Sequence, residues 1–479
     1  MPRKEFVFSI ILLMALTGIG LFYYASQISK DSQKEYAVEL RENSFHPKEV
    51  TIQKGDAVKF TSQTRNFWPA SDSHPSHGIY SEFDSGKPIA PDGGWVFRFE
   101  KSGEWEYHDH LAPYFTGKII VKGENKNNEK DVSKKECRSS NSSEYCWQED
   151  ILSVLEEGGI SAAFDRLAAL YNNDPNFRFS CHYVSHNVGI ASYAYFLKDR
   201  DSILTPKASY CANGFYHGFM EAFLGANLDP QEAREFCGYI DEKMTSQAPD
   251  ASLQCFHGIG HGAMDMAIIS EGVKGGELEM IGPALQICEN ASETPEQLYR
   301  CASGIFNGIA NFYIKDDYDL SINKEDPLWV CHEQQDKYKE PCYGNMIPLL
   351  FWLEDNDFSQ AAYYIESIGE ETQEISAIKY LAGLGALYEG SEYAVEDCRF
   401  LKKHLRLPCI EGFVQGFLEH GEPGLEYQEA FSFCRSLSMT YQEKEACFRY
   451  ALNLGGWYSK EKVKEICAGV DAEYRKFCK

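Results

Sequence analysis

No cysteine occurs before residue 137, and no C-x-x-C pair occurs anywhere in the chain. No P-loop, G-x-S-x-G turn or dinucleotide-binding glycine fingerprint is present, so no signature marks a phosphate-cradling loop or a serine-hydrolase elbow. Positive charge is scarce. Lys and Arg total 46 against 72 Asp and Glu, a formal charge of −26. Nucleic-acid binding depends on cationic side chains neutralising phosphates, so a nucleic-acid partner is not expected. So acidic a surface instead suits a protein that attracts cations. Long apolar runs are equally scarce. The one example is Phe6–Tyr24, uncharged throughout and close to the about 20 residues that cross a bilayer as a helix.

Arg3 and Lys4 precede that run, and Tyr23 and Tyr24 close it at an interfacial position. The positive-inside rule then puts the remainder of the chain outside the cytoplasm. A cleaved signal peptide is the competing reading. The run is long for one and lacks a small-x-small site, which favours an uncleaved membrane anchor over residues 1–34. Either reading exports the rest. All 16 cysteines follow residue 136, and an even, high count agrees with an oxidising compartment, at the cell surface or in a periplasm.

Residues 35–122 have strand periodicity. Val50, Ile52, Val58 and Phe60 alternate around a Gly55-Asp56 turn, Trp95, Phe97 and Phe99 alternate, and Trp105 alternates with Tyr107. Short alternating strands separated by Gly, Asp and Pro predict a β-sandwich. Its histidines are concentrated in two places: His74 and His77 in the loop WPASDSHPSHGIYSEFD, and His108 and His110 in EWEYHDH, with Asp72, Glu82, Asp84 and Asp109 nearby. On a strand His108 and His110 share one face. Trp105, Tyr107 and Asp109 share the other, core-facing one, so the two imidazoles are expected to point outward. His74, His77, His108 and His110 are the candidate metal ligands, with Asp109 and Glu82 as further oxygen donors. Imidazole nitrogen suits copper(II), zinc or nickel, and an acidic fringe also suits iron. The alternative is a ligandless sandwich with these histidines on its surface. His46 reads as a surface residue.

The segments SFHPKEVTIQKGDAVKF and GEWEYHDHLAPYFTGKIIV resemble the opening and closing segments of the cupredoxin family, in particular the EfeO-type cupredoxin-like domains, over residues 40–122. The resemblance implies a Greek-key sandwich that often holds one copper ion, and a link to metal uptake or homeostasis. It also implies where a blue-copper site would take its ligands: Cys, His and Met in the closing loop and an earlier His. Here those positions hold Asp109, Ala112, Phe115 and Phe67 or Trp68. Without sulfur a blue-copper site is excluded. Any metal bound here needs a different donor set.

Residues 123–136 are polar and charged, and read as a linker. Residues 137–479 change to helical texture. The phrase C-x-x-G-x-x-[H/N/Q]-G recurs at Cys211, Cys255, Cys301 and Cys409, with weaker copies at Cys342 and Cys447 and a cysteine-less one expected in ISAIKYLAGLGALYEG. A repeat of about 40 residues predicts an α-solenoid of stacked helix pairs. Glycines four apart lie on one helical face and let a neighbouring helix approach closely. Cysteine spacing suggests the pairs Cys137–Cys146, Cys181–Cys211, Cys237–Cys255, Cys288–Cys301, Cys331–Cys342, Cys398–Cys409, Cys434–Cys447 and Cys467–Cys478, each stapling neighbouring helices.

Histidine crowds the start of this region. His182 and His186, and His257 and His261, are spaced i, i+4, which puts both rings of a pair on one helical face, and His217 stands in the repeat position shared with His261. Equivalent positions of stacked repeats are neighbours, so His186, His217 and His261 are expected to cluster. Asn307, Gln415 and Asn453 replace the histidine later. Two readings remain open: a polar group that satisfies a backbone carbonyl, or a metal-binding or catalytic histidine pocket. His332, His404 and His420 are expected on the surface.

The expectation is therefore a multidomain, membrane-anchored, exported metal-binding protein, with copper first and iron or zinc as alternatives. The solenoid would be a scaffold or a surface for a protein partner. A metal-dependent enzyme using the helical histidines, and a structural surface protein without metal, are the other two readings.

Overall fold

The computed structural model describes residues 34–41, 44–72, 74, 77–123, 143–272, 276–315, 318, 320–388, 391–454 and 457–478. The expected membrane span, most of the linker, and Cys137 with its pairing lie outside the described residues. Among those described, no helix is long and apolar enough to cross a membrane.

Eight strands form the first unit: β1 Glu35–Arg41, β2 Ser44–His46, β3 Glu49–Gln53, β4 Ala57–Ser62, β5 Pro69–Ser71, β6 Gly94–Arg98, β7 Gly103–Asp109 and β8 Ala112–Lys122. They make two four-stranded sheets, in the orders β2-β1-β4-β6 and β3-β8-β7-β5. The β1–β4 and β3–β8 pairs are parallel and the others antiparallel. Alternation places Val38, Leu40, Val50, Ile52, Val58, Phe60, Phe99 and Tyr107 in one core between the sheets, as period-two patterning requires. Gly117 lies opposite Tyr107, and a Cβ there would fall 2.3 Å from the phenol ring. Alternation fails at the end of β7, where Tyr107, His108 and Asp109 are all buried. A second unit covers this end of the sandwich.

That unit is helical. Helices α1 Ser143–Asn173, α2 Phe177–Phe196, α3 Gly214–Asn227, α4 Pro230–Met244, α5 Ala251–Glu271, α6 Glu277–Ala291 and α7 Pro295–Lys315 are followed by further pairs through Lys460–Ala468. Helix α1 is broken at Gly159, whose φ is 77°. Successive helices pack on one another in an inner row (α2, α3, α5, α7), the last three of them from C-x-x-G repeats, and α4 and α6 lie outside it. The cysteine-less copy is helical, Glu371–Tyr388 (α8), and packs on Arg406–His420 (α9).

Glycine sets the spacing of the row. A Cβ on Gly218 would lie 2.0 Å from the carbonyl oxygen of His186, and one on Gly416 would lie 2.2 Å from that of Gly383. No side chain fits there, so backbones meet directly. Among the described residues, seven of the expected disulfides are seen: Cys181–Cys211, Cys237–Cys255, Cys288–Cys301, Cys331–Cys342, Cys398–Cys409, Cys434–Cys447 and Cys467–Cys478. They fit an oxidising environment.

The sandwich docks on α2, α3 and α5. Trp68, Ala70 and Leu111 belong to the helical core rather than to the sandwich core. Tyr114 meets Tyr193 edge to face with centroids 4.8 Å apart. Asn66 Nδ2 donates to the carbonyls of Ile268 and Ile269 at 3.2 and 2.9 Å, and Arg65 donates to that of Gly225 at 3.2 Å. Each of these bonds satisfies a polar group that docking removes from water.

Candidate metal centre

Four imidazoles converge at the covered end of the sandwich. His74 and His77 come from the loop after β5, His108 from the end of β7, and His110 from the turn into β8. One ligand atom from each lies within 4.8 Å of all the others. His77 takes a left-handed backbone, φ 50°, which costs a non-glycine residue about 1 kcal/mol or more and turns its ring into the cluster. His108 and His110 point away from the sandwich core, as strand parity requires. They do not reach solvent, because the helices bury them to 1% and 4% exposure.

The hydrogen bonds settle which nitrogens face inward. His108 Nδ1 donates to Asp72 Oδ1 at 2.9 Å, and His77 Nδ1 donates to Asp84 Oδ2 at 2.6 Å. An ionised carboxylate only accepts, so the nitrogen left to carry a lone pair in either ring is Nε2. These lone pairs face His74 Nδ1 at 3.2 Å and His110 Nδ1 at 2.9 Å. Each such contact is closed by one proton or by one cation. Nitrogens bonded to one tetrahedral ion at about 2.0–2.1 Å stand about 3.3 Å apart. A carboxylate on the outer nitrogen is what fixes the ring of a metal-bound histidine. Burial, against the pull of Glu221 on His74 and of Asp84 on His77, lowers both imidazoles, His74 well below its usual range. Burial and its three histidine neighbours do the same to His110. Burial alone would raise Asp84, but the bonds from His77, Trp68 and the Gly86 amide hold it below the usual carboxylate range.

Two expected oxygen donors are elsewhere. Asp109 accepts from the Trp68 amide at 2.8 Å and pairs with Arg65 at 3.2 Å, facing away from the imidazoles. Parity already sets it opposite His108. Glu82 is exposed and pairs with Lys101 at 2.8 Å. The acidic residues that do serve the cluster are Asp72 and Asp84.

The helical histidines lie directly beside it. His217, on α3, has its ring centroid 4.7 Å from that of His257 and 4.8 Å from that of His261, both on α5. His182, on α2, lies 5.0 Å from His217, and its Nδ1 donates to the Cys211 carbonyl at 3.0 Å. His186, also on α2, stacks 5.8 Å from His74 of the sandwich. Burial pushes His182 and His261 down to about 4, and pushes His217 and His257 well below their usual range.

The residue that joins the two sets is one that sequence reasoning missed. Glu221, on α3, lies 3.3 Å from His74 Nε2, 3.2 Å from His186 Nε2 and 3.7 Å from His261 Nδ1. Burial opposes its charge, but His186 and His74 outweigh that and hold it well below the carboxylate range. Asp265 is also buried beside it. Burial first, then Glu221 and Asp109, push it well above that range. The signal was present: Glu221 follows His217, and Asp265 follows His261, at the same i, i+4 spacing that marked the histidine pairs. His74, His110, His182, His186, His217, Glu221, His261, Asp265 and Lys315 line one cavity of about 240 Å³.

The remaining histidines differ. His46 is exposed and paired with Ser44, His332 is exposed beside Asp326, and His404 is half-buried against Glu374. His420 is not the surface residue expected. It lines a groove with Tyr171, Arg178 and Glu429, and burial lowers it to about 4. Asn307 lines the shared cavity, Gln415 donates to Glu419 at 2.8 Å, and Asn453 is exposed.

Residues 12–121 match the family model of the cupredoxin-like domain. Among solved structures, an oxidized amicyanin variant is 18% identical, with a TM-score of 0.17, over 18% of this chain and 81% of that one. A reduced amicyanin variant is 17% identical, also with a TM-score of 0.17, over 18% of this chain and 82% of that one. No curated protein matches the chain. The N-terminal part of this protein is a cupredoxin-like domain.

Proposed function

We propose that this protein binds a transition metal, copper first, through His74, His77, His108 and His110, and that the segment Phe6–Tyr24 holds it to a membrane with this site outside the cytoplasm. The observation that carries the reading is the set of four buried imidazoles with Asp72 and Asp84 fixing two of the outer nitrogens. Four nitrogens and no sulfur suit copper(II), with zinc next. A bound cation would supply the positive charge that the inward lone pairs face. The disulfides and the apolar run support export, and the cupredoxin-like fold supports copper. A role in metal uptake or homeostasis follows as a proposal from the same fold.

The test is calorimetric titration of the intact, metal-stripped protein with Cu(II), beside His108→Ala. A binding phase tighter than micromolar (a little over 8 kcal/mol) that disappears in the variant is expected. Its absence from the wild type rejects the reading.

A second reading, a metal-dependent enzyme, is favoured by the cavity of about 240 Å³ between the two histidine sets. It has room for a small substrate beside a sandwich-bound ion, with Asp265, whose burial favours the protonated form, as the proton donor.

A further inference from the structure

His186 Nδ1 is a buried polar atom with no hydrogen-bond partner among the described residues, and buried Glu221 Oε2 has only the Nε2 atoms of His186 and His74, at 3.2 and 3.3 Å and outside hydrogen-bond geometry. Buried polar atoms are nearly always satisfied, and exceptions call for an absent ligand, ion or water. Both belong to residues that line the cavity between the sandwich and the first helices. On its helical side, one ligand atom from each of His217, His257 and His261 lies within 4.8 Å of the others. His257 Nε2 and His261 Nε2 face each other at 3.3 Å. That is the separation of two nitrogens bonded to one ion with bonds of about 2.0–2.1 Å.

The donor type agrees: all three are imidazoles, whose ring nitrogens bind transition metals. His182 has its Nδ1–H committed to the Cys211 carbonyl, which leaves the Nε2 lone pair on the side of the ring away from that bond. Glu221 is the neighbouring carboxylate, 3.7 Å from His261 Nδ1.

From this geometry we infer a second transition-metal site, formed by His217, His257 and His261 across α3 and α5, with Glu221 standing between it and the four-histidine centre. The helical donors are entirely separate from those of the sandwich. Glu221 is a positioning residue for both sets, because it contacts His74 on one side and His261 on the other.

The experiment is elemental analysis of the full chain after loading with Zn(II) and gel filtration, repeated with Co(II), whose visible d–d bands report nitrogen coordination. The variants are His257→Asn, His108→Asn and the double variant. Asn213 holds the equivalent position of the preceding repeat, and circular dichroism checks the folding of His257→Asn. Two ions per wild-type chain, one in each single variant and none in the double variant are expected. One ion that His257→Asn leaves in place overturns the second site. One ion that either single variant removes shows a single shared site, and overturns it too. An ion lost from His257→Asn but unaffected by His108→Asn upholds the helical site while rejecting the sandwich centre. An absence of ions in the wild type rejects both.

Discussion

The first helical repeats and the later ones share a frame and differ in what it carries. In both, glycine lets inner helices touch backbone to backbone, Gly218 on His186 at the front and Gly416 on Gly383 at the rear. In both, a disulfide ties neighbouring helices. The divergence is at the sixth position after the cysteine. At the front it holds His217 and His261, and the i, i+4 partners add His257 and Glu221. At the rear it holds Gln415, which is satisfied by Glu419 and Tyr450. The position holds a plain, satisfied polar group at Gln415, and a member of a buried histidine cluster where the sandwich covers the row.

The largest test of that contrast is His261→Gln, which gives a front repeat the rear residue. Losing a ligand should cost more than the about 10–100-fold of losing an outer hydrogen-bond partner. Zn(II) affinity of the helical set should thus fall over 100-fold, with Tm nearly unchanged. A large Tm loss would make His261 structural. Next, Gly218→Ala and Gly416→Ala each drive a Cβ into a backbone carbonyl and should cost about 1–3 kcal/mol or more in urea denaturation. Only the front variant should also weaken metal binding. Equal metal affinities in the two would separate the glycine spacing from the histidine array. Third, Asp84→Ala removes the acceptor of His77 Nδ1 and should weaken the sandwich centre about 10–100-fold, with the helical set unaffected.

The smallest effect concerns acid. His420, at the rear, is lowered to about 4 by burial, whereas the unfolded chain titrates near 6.5. Between these values the unfolded state binds more protons. Its contribution to stability is therefore complete above about 6.5 and is lost as pH falls towards about 4. In chelator-treated protein, His420→Asn should flatten the fall in urea midpoint between pH 7 and pH 5. An unchanged slope would show that His420 is already protonated when folded.

Much of this was legible in residue order because it rests on local periodicity. Alternation at Val50, Ile52, Val58 and Phe60 reports which face of a strand is buried. Cysteine spacing reports which helix ends are neighbours. The His217–His261 neighbourhood followed from repeat equivalence alone. What residue order does not encode is docking. Parity correctly turned His108 and His110 away from the sandwich core, but only the helices decide whether that direction is water or protein. Glu221 has a local signal, its i, i+4 spacing from His217, but its partners His74 and His186 lie on two other elements, far apart in the chain, and no spacing rule shows that they meet it. Asp109 was misread in the other direction: proximity in sequence to two histidines said less than the parity that places it against Arg65 and the Trp68 amide.

The bridges described here have a consequence for how the superhelix can be shortened. Each joins cysteines only 11 to 30 residues apart, and none reaches from one end of the array to the other. A chain cut between Cys301 and Cys331 separates no bonded pair among them and strands no thiol. The array is thus modular in its covalent chemistry but not in its packing, because its rear returns to its front, where Tyr171 donates to the His420 carbonyl and the Ala212 amide to that of Glu419.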